Sequence, residues 1–381
     1  MSWHPLCPTR VESALERRGN DTAVTMELSF FRKPKTVVGL DIGSSAVKAV
    51  ELKPAGKGTY KVAAFASEPV PPDTIVDGAI VDGVAVADAI RRIFDTKRFK
   101  ARDVAVSLSG NAVIVKKIAL PVMSEAELDE SIHWEAEQYI PFDIQDVNLD
   151  YQILPATPGE GGKQTMDVLL VAAKRDKIAE YTGVIAQAGR AAVVVDIDAF
   201  AVQNCYEVNY GLDGGVTVLL NVGASAINVN IIAGEQSLFT RDISLGGNAF
   251  TDAVQREFGL AFDVAEQAKK GHPIDGVPFD DVRPVLRTMS ESVVLEIQKT
   301  FDFFKATTSM DRVDRIVLCG GSSRVEGLAE TLEERFGAPV EYLDPFKTVT
   351  VDAARLGVSA TELASTAAVA VGLALRTAGD R

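Results

Sequence analysis

Two stretches of the sequence share one design. Residues 36–52 read TVVGLDIGSSAVKAVEL, and residues 216–232 read VTVLLNVGASAINVNII. Each contains an apolar run, a short turn in which an acid or amide precedes glycine and a serine, and a second apolar run, which together predict a β-hairpin. Placing Asp41 on Asn221 gives an offset of 180 residues, at which a glycine, a serine and an alanine of the two turns coincide. The match favours an internal duplication over chance.

Both turns are suited to binding an anion. Glycine lets the backbone approach a ligand closely, and successive amides and hydroxyls of such a turn form a concave anion site. Two such hairpins, one in each half of the chain, can face each other across a cleft and hold one polyphosphate from both sides. The alternative is a pair of ordinary hairpins that merely need glycine in their turns.

A third glycine turn follows a third strand. Residues 315–319 (RIVLC) predict the strand, residues 320–323 (GGSS) the turn, and residues 324–336 have helical spacing. A strand, a glycine turn and a helix N-terminus form a nucleotide cradle, because the amides of a first helical turn are free. The alternative is a tight turn in which Ser322 or Ser323 caps the helix. The sequence has neither a P-loop motif nor a dinucleotide-binding glycine fingerprint.

The composition excludes several classes of protein. A length of 381 residues suggests two or three domains or one large two-lobed unit, and 47% hydrophobic with 24% charged residues is typical of a globular chain. The net charge of −14 argues against nucleic-acid binding, which needs a basic face. Three widely spaced cysteines and three histidines provide neither a disulfide framework nor a zinc or histidine metal site.

The two ends of the chain also carry expectations. The longest apolar run, residues 367–375, is too short to span a bilayer, and residues 1–25 lack the apolar core of a signal peptide. We therefore expect a soluble, cytoplasmic protein. Regular patterning starts near Met26, so we predict a disordered tail over residues 1–35, or Met26 as the native start.

The pattern between the repeats predicts two lobes. We expect a first lobe at residues 36–210 and a second at 211–381. An α+β block at about residues 82–165 is predicted as an insertion in the first lobe, and Ser124 with Glu127 forms a capping box at the start of its helix. Further helices are predicted at residues 248–258, 263–270 and 283–305, within a second subdomain at about 250–310, and at 360–378, where small residues indicate a buried helix.

The order of hairpin turn, hairpin turn and strand–glycine turn–helix resembles the actin, Hsp70 and sugar-kinase ATPase superfamily over residues 36–378. The resemblance implies an α/β protein with a duplicated actin-like (ribonuclease H-like) fold. Two lobes would surround a nucleotide cleft, and the first lobe would carry an inserted α+β subdomain, as in FtsA. It implies ATP and Mg²⁺ as ligands.

The same resemblance implies roles for individual residues. Asp41 would hold Mg²⁺, through water, because Mg²⁺ dehydrates reluctantly. The implied nucleotide-binding residues are Gly43, Ser44, Ser45 and Lys48 on one side of the phosphates, Gly223, Ala224 and Ser225 on the other, Gly320, Gly321 and Ser322 along the adenosine, and Glu266 and Lys269 of the AEQAK segment across from them.

Asn221 departs from the superfamily, which usually has aspartate at the first position of the second turn. An amide cannot act as a base or bring a second charge to Mg²⁺. Asp41 and a weakened Asn221 are therefore the candidate catalytic residues. We expect ATP binding with slow or no hydrolysis.

Within the superfamily, the chain is most similar to the PilM family of the type IV pilus machine, whose relatives are FtsA and the cytoplasmic domain of GspL. The resemblance is carried by FFRKP at residues 30–34, LP at 120–121 before the helix at 124–138, YIPF at 139–142, VNLDY at 147–151 and AVGLALR at 370–376. It implies pilus assembly and twitching motility. It also implies that a groove beside the inserted subdomain captures the N-terminal cytoplasmic peptide of PilN, with residues 100–165 as the partner surface. Contacts with the motor ATPases and the platform protein follow from it too, as does peripheral attachment to the inner membrane through PilN.

Several alternatives stay open at this point. Phe30, Phe31, Arg32, Lys33 and Lys35 form an aromatic–basic patch that either touches lipid or a partner or is a solvated flank. An active ATPase, a small-molecule kinase or an FtsA-like division protein are the competing functions. Nothing resembles a sugar-binding insertion, and the C-terminus lacks the amphipathic membrane helix usual in FtsA. Self-association, as in actin, is left open.

Overall fold

The computed structural model describes residues 36–379, apart from residue 57 and residues 96–98, 155–164, 309–311 and 353–359. The predicted tail over residues 1–35, with its aromatic–basic patch and the proposed start at Met26, lies outside the described residues.

Strands and helices alternate along most of the described chain. The strands are β1 Val38–Ile42, β2 Ala46–Gly56, β3 Thr59–Pro69, β4 Ile75–Val76, β5 Ala79–Ile80, β6 Asp103–Leu108, β7 Val113–Pro121, β8 Val147–Ile153, β9 Thr165–Lys174, β10 Ala191–Ile197, β11 Val216–Val222, β12 Ile227–Ala233, β13 Gln236–Ile243, β14 Arg315–Cys319 and β15 Val340–Tyr342. The helices are α1 Gly83–Asp95, α2 Glu125–Glu137, α3 Arg175–Gln187, α4 Asp198–Tyr210, α5 Gly247–Phe258, α6 Phe262–Lys269, α7 Phe279–Thr307, α8 Leu328–Phe336, α9 Ala360–Thr366 and α10 Ala368–Ala374.

Two five-stranded sheets of the same design carry the two halves of the chain. The strand orders are β3-β2-β1-β6-β10 and β13-β12-β11-β14-β15. In each sheet, three antiparallel strands are followed by two parallel ones. The hairpin register also agrees, because Asp41 pairs with Lys48 and Asn221 pairs with Asn228. The predicted duplication is confirmed.

One core joins the two sheets. Apolar side chains of both sheets, among them Val50 and Leu219, pack against α4 and α10, which lie between the sheets. The outer face of the first sheet is covered by α1 and α3, and that of the second sheet by α5 to α8. Buried Val38, Leu40 and Val218 show why the central strands read as almost continuous apolar runs.

The inserted subdomain consists of the sheet β7-β9-β8 and α2, with its own apolar core. The capping box of Ser124 and Glu127 is present at the start of α2. These elements span residues 113–174 rather than the expected 82–165. The difference arises because Val86, Ile90 and Ile93 of α1 pack on the first sheet, and because β6 is one of that sheet's strands.

Two predicted helices have different bounds. The C-terminal helix expected over residues 360–378 is two short helices, α9 and α10, and the break coincides with the Ser365 carbonyl accepting a hydrogen bond from Gly320 N. The helix expected over residues 324–336 begins only at Leu328, because Gly327 before it has a left-handed φ of 84°. No helix among the described residues is both long and apolar enough to cross a membrane.

Backbone segments touch where α4, α10 and β1 meet. A Cβ placed on Gly372 of α10 would lie 1.7 Å from the Ala201 carbonyl oxygen of α4. A Cβ on Gly39 of β1 would lie 2.0 Å from the Ala370 carbonyl oxygen. Glycine is therefore required at both positions, since the neighbouring atoms belong to the backbone and cannot rotate away.

We expect Gly372→Ala to lower the free energy of unfolding by more than about 3 kcal/mol, because the added methyl group forces two packed helices apart. The matched control is Gly183→Ala in α3, where nothing lies within 4 Å of the added Cβ. That control should leave stability unchanged or raise it by up to about 1 kcal/mol, since alanine favours a helix. Chemical denaturation measures both variants, and equal stability of the two would contradict this account.

Candidate functional site

The two glycine turns meet across the junction of the lobes. Each is closed in the same way, by Gly43 N donating to the Ala46 carbonyl at 3.2 Å and Gly223 N donating to the Ala226 carbonyl at 2.9 Å. The Ser225 hydroxyl donates to the Ser44 hydroxyl at 2.9 Å. The structure thus brings together two turns that are 180 residues apart in the sequence.

A carboxylate and a cation lie beside the first turn. Lys48 Nζ is 2.9 Å from Asp41 Oδ2. The side chain of Lys48 is 15% exposed and that of Asp41 is 14% exposed. They face each other because Asp41 of β1 pairs with Lys48 of β2. This arrangement offers both a ligand for a hydrated cation and a fixed positive charge for an anion.

The third turn packs directly on the second. Gly320 has φ 92°, and a Cβ there would lie 2.4 Å from the Val222 carbonyl oxygen and 2.6 Å from Asn221 Oδ1. Ser322 N donates to the Val222 carbonyl at 3.0 Å. Gly320, Gly321 and Ser322 therefore lie at the end of β11, next to the second hairpin turn.

A glycine pair that the sequence reasoning did not include in the site joins these turns. Gly247 N donates to the Gly223 carbonyl at 2.9 Å, and a Cβ on Gly247 would lie 1.9 Å from Ser322 Oγ. A Cβ on Gly246 would lie 2.7 Å from the Ala224 carbonyl oxygen. The signal available in the sequence was a Gly-Gly pair at the start of α5, the helix that follows β13.

Glu266 and Lys269 lie against this glycine pair, as an ion pair. Lys269 Nζ is 2.5 Å from Glu266 Oε2, 3.0 Å from Thr251 Oγ1 and 3.2 Å from the Gly247 carbonyl oxygen. Lys269 is 7% exposed, and burial lowers the pKa of its ammonium group despite the attraction of Glu266. Gly247 contacts both this pair and Ser322, so the structure brings the predicted adenosine residues to one place.

Asp198 is a further carboxyl group that the sequence reasoning missed. It accepts a hydrogen bond from Ser107 Oγ at 2.5 Å. Burial raises the pKa of Asp198 to about 7, and the charges of Asp41 and Asp242 add to this, against the hydrogen bonds from Ser107 and Ser109. Asp198 directly follows β10, which is parallel to β6 and β1, so it emerges at the same edge of the sheet as Asp41. Predicting that Asp198 lies near Asp41 requires the strand order of the sheet, which the local sequence does not give.

The donor set fits a nucleotide with hydrated Mg²⁺. Within the described part of the chain, no group of three or more His, Cys, Asp and Glu side chains is arranged to hold a metal ion. Mg²⁺ does not need such a cage, because it keeps several waters and uses one or two carboxylates with phosphate oxygens. Asp41 with the amides, hydroxyls and Lys48 of the facing turns meets that requirement.

Comparison with known proteins identifies the family. The sequence model described as type IV pilus assembly protein PilM matches residues 39–378, which is most of the chain. This chain belongs to the PilM family. The competing assignments to a small-molecule kinase or to an FtsA-like division protein are thereby set aside.

Solved structures agree with membership of the PilM family. The structure described as the PilM–PilN type IV pilus biogenesis complex is 30% identical, with a TM-score of 0.78, and the match covers 90% of this chain and 99% of that one. The ethanolamine utilization protein EutJ from Carboxydothermus hydrogenoformans is 16% identical, with a TM-score of 0.54 and 90% of each chain covered, which shows a shared fold alone. The predicted actin-like two-lobed fold is confirmed.

We expect the stability of Asp198→Asn relative to the natural protein to depend on pH. The folded-state pKa of Asp198, about 7, lies above the unfolded value of about 3.9. The natural protein therefore loses stability as pH rises from about 4 to about 7, because ionising the buried carboxyl is unfavourable, and the asparagine variant escapes this loss. The difference in Tm should shift in favour of the variant by roughly 2–4 °C between about pH 5.5 and about pH 8.

The control for this comparison is Asp275→Asn, at an exposed turn. Its Tm difference from the natural protein should be the same at both pH values. A pH-independent difference for Asp198→Asn would show that its carboxyl titrates normally.

Proposed function

We propose that this PilM-family protein binds ATP with Mg²⁺ between its two lobes and acts as a nucleotide-gated scaffold in type IV pilus assembly. The observation that carries the proposal is the contact between the two duplicated turns, with Ser44 and Ser225 in hydrogen-bond contact. A ligand held by both turns touches both lobes, so binding it changes how firmly the lobes are held together.

The roles proposed for the site follow its geometry. Asp41 accepts hydrogen bonds from the waters of Mg²⁺, and Lys48 neutralises phosphate charge beside it. The amides and hydroxyls of residues 43–45 and 223–225 bind the phosphates, and the Gly320 turn, with the Glu266–Lys269 pair, lines the adenosine. The Mg²⁺ ion, when bound, screens the negative charge of the phosphates.

Slow turnover is the expected consequence of Asn221. Its amide nitrogen already donates to Asn228 Oδ1 at 2.8 Å, and an amide does not accept a proton near neutral pH. One observation favours the alternative of an active ATPase: the carboxyl of Asp198, with a pKa of about 7, shares the cleft edge with Asp41 and has the pKa of a general base. Turnover measurements separate the two.

The partner proposed is the N-terminal cytoplasmic peptide of a PilN protein. The support is the similar structure described as a PilM–PilN complex. We place the peptide beside the inserted subdomain of β7, β8, β9 and α2, which overlaps the partner surface predicted at residues 100–165. Through PilN the protein would be a peripheral component of the inner-membrane complex, in contact with the motor ATPases and the platform protein; self-association of the protein is a further proposal.

Nucleotide binding tests the site. We expect Asp41→Ala to weaken ATP binding about 10-fold or more in the presence of Mg²⁺, and to change it little in EDTA, because Asp41 acts through the hydrated ion. Titration calorimetry with and without Mg²⁺ measures this, and exposed Asp275→Ala is the matched control. An Asp41→Ala variant that binds Mg²⁺–ATP as tightly as the control would remove Asp41 from the site.

Turnover distinguishes a scaffold from an enzyme. We expect steady-state ATP hydrolysis below about 1 s⁻¹, the lower end of ordinary enzyme rates. Phosphate release by the purified full chain measures it. A faster rate that falls at least about 100-fold in Asp198→Asn would instead support an active ATPase with Asp198 as its base.

Peptide binding tests the partner. A labelled PilN N-terminal peptide from the same source should bind the full chain with a Kd in about the micromolar range, and a scrambled peptide of the same composition should not. Fluorescence polarisation with and without Mg²⁺–ATP measures both affinity and nucleotide dependence. Equal binding of the authentic and scrambled peptides would contradict the proposed partner.

A further inference from the structure

Three polar side chains and one backbone amide form a continuous chain between the lobes. Asn221 Nδ2 donates to Asn228 Oδ1 at 2.8 Å, and Asn228 Nδ2 donates to Asp242 Oδ1 at 2.7 Å. The other oxygen of Asp242 accepts from the backbone N–H of Gly110. Gly110 lies between β6 and β7, where the chain of the first lobe enters the inserted subdomain.

The hydrogen-bond direction of this chain is set at its carboxylate end. An ionised carboxylate only accepts hydrogen bonds, whereas each asparagine has one donating and one accepting end. Asn228 must therefore turn its NH₂ group toward Asp242, which leaves its oxygen to face Asn221. Asn221 in turn must donate with its NH₂ group, so its own oxygen points away from Asn228.

The other end of Asn221, its amide oxygen, lies at the junction of the proposed nucleotide site. Its Oδ1 is 3.8 Å from Cys319 Sγ, and a Cβ placed on Gly320 would lie 2.6 Å from it. Cys319 is buried, which raises the pKa of its thiol, so the thiol stays protonated and can donate to this oxygen. The amide oxygen of Asn221, a hydrogen-bond acceptor, therefore faces the turn that follows β14.

The equivalent positions of the first half carry a different arrangement. Asp41 and Lys48 occupy the register positions that Asn221 and Asn228 occupy in the second half, and they form a direct ion pair. In the second half the negative charge is two side chains away from the turn, on Asp242 of β13. The hydrogen bonds from Asn221 through Asn228 to Asp242 keep the amide oxygen of Asn221 at the turn without placing a second charge there.

We propose that Asp242 is a positioning residue that, through Asn228, holds Asn221 with its amide oxygen toward the nucleotide site. The orientation is tied to Gly110, so the second glycine turn and the entrance to the inserted subdomain share one hydrogen-bonded chain. The role of that oxygen toward the waters of Mg²⁺ rests on the proposed function. The orientation itself does not.

Exchanging the amide at position 221 with the carboxylate at position 242 tests the proposed series of hydrogen bonds. In Asn221→Asp with Asp242→Asn, both side-chain hydrogen bonds can re-form in the opposite direction, while Gly110 N still donates to residue 242: the new amide donates to Asn228, which donates to the new carboxylate. In Asn221→Asp alone, two carboxylates face one Asn228 amide, whose oxygen must then point at one of them. In Asp242→Asn alone, the bonds re-form, but the Asn221 NH₂ group turns toward the site.

Thermal unfolding without nucleotide tests the orientation of the Asn221 amide, because the cost of each variant depends on which hydrogen bonds can form. We expect Asn221→Asp to lower Tm clearly more in the natural background than in the Asp242→Asn background. In an Asn228→Ala background, which removes the intermediary but keeps both charges, that dependence on residue 242 should mostly disappear. An equal cost of Asn221→Asp whatever stands at position 242 would overturn the proposal, and so would a dependence that survives Asn228→Ala, since direct charge repulsion would then explain it.

Nucleotide binding measures the consequence. Asp242→Asn and Asn228→Ala should each weaken ATP binding about 3- to 10-fold in Mg²⁺ and leave it unchanged in EDTA. Asp242→Asn reverses the Asn221 amide and Asn228→Ala removes the side chain that orients it, while only Asp242→Asn removes a charge. Equal losses with and without Mg²⁺ would overturn the positioning role. If the natural protein binds no ATP, the proposed function fails, and the unfolding measurements still decide whether Asp242 orients Asn221.

Discussion

The close crossing of α4, α10 and β1 determines where the two lobes lie. Gly39 and Gly372 allow backbone atoms of these elements to touch, and the shared apolar core forms around them. Because α4 and α10 lie between the two sheets, this packing sets the distance between the sheet edges from which the glycine turns project. The hydrogen bond between Ser44 and Ser225 depends on that distance.

The two halves have the same fold but different chemistry at their turns. The first half has an ion pair between neighbouring strands, Asp41 with Lys48, whereas the second has an amide pair, Asn221 with Asn228, that is connected to Asp242. A second carboxylate in the cleft edge comes from Asp198, not from the repeat. Duplication followed by such divergence agrees with the proposed binding of a nucleotide from both sides, with the charged groups placed mainly on one side.

The local patterns in the sequence predicted local structure well. Both hairpins, the third glycine turn and the capping box of α2 are present, because each depends on residues that are neighbours in the chain. The differences from expectation arose where packing between distant segments sets the bounds of an element. The insertion has other bounds than expected because the apolar face of α1 packs on the first sheet. The C-terminal helix expected as one is two, and the break lies next to Ser365, whose carbonyl accepts a hydrogen bond from Gly320 N.

By itself, the sequence determined the duplicated hairpins, the identity of most candidate nucleotide residues and the resemblance to the PilM family, since these depend on residue type and spacing. Only the tertiary structure decided which groups share the cleft. Asp198, Gly247 and Asp242 have no distinctive local motif, and they reach the site because parallel strands end at one edge and because two lobes pack on common helices. Chain neighbours determine a turn, but the packing of distant segments determines a site.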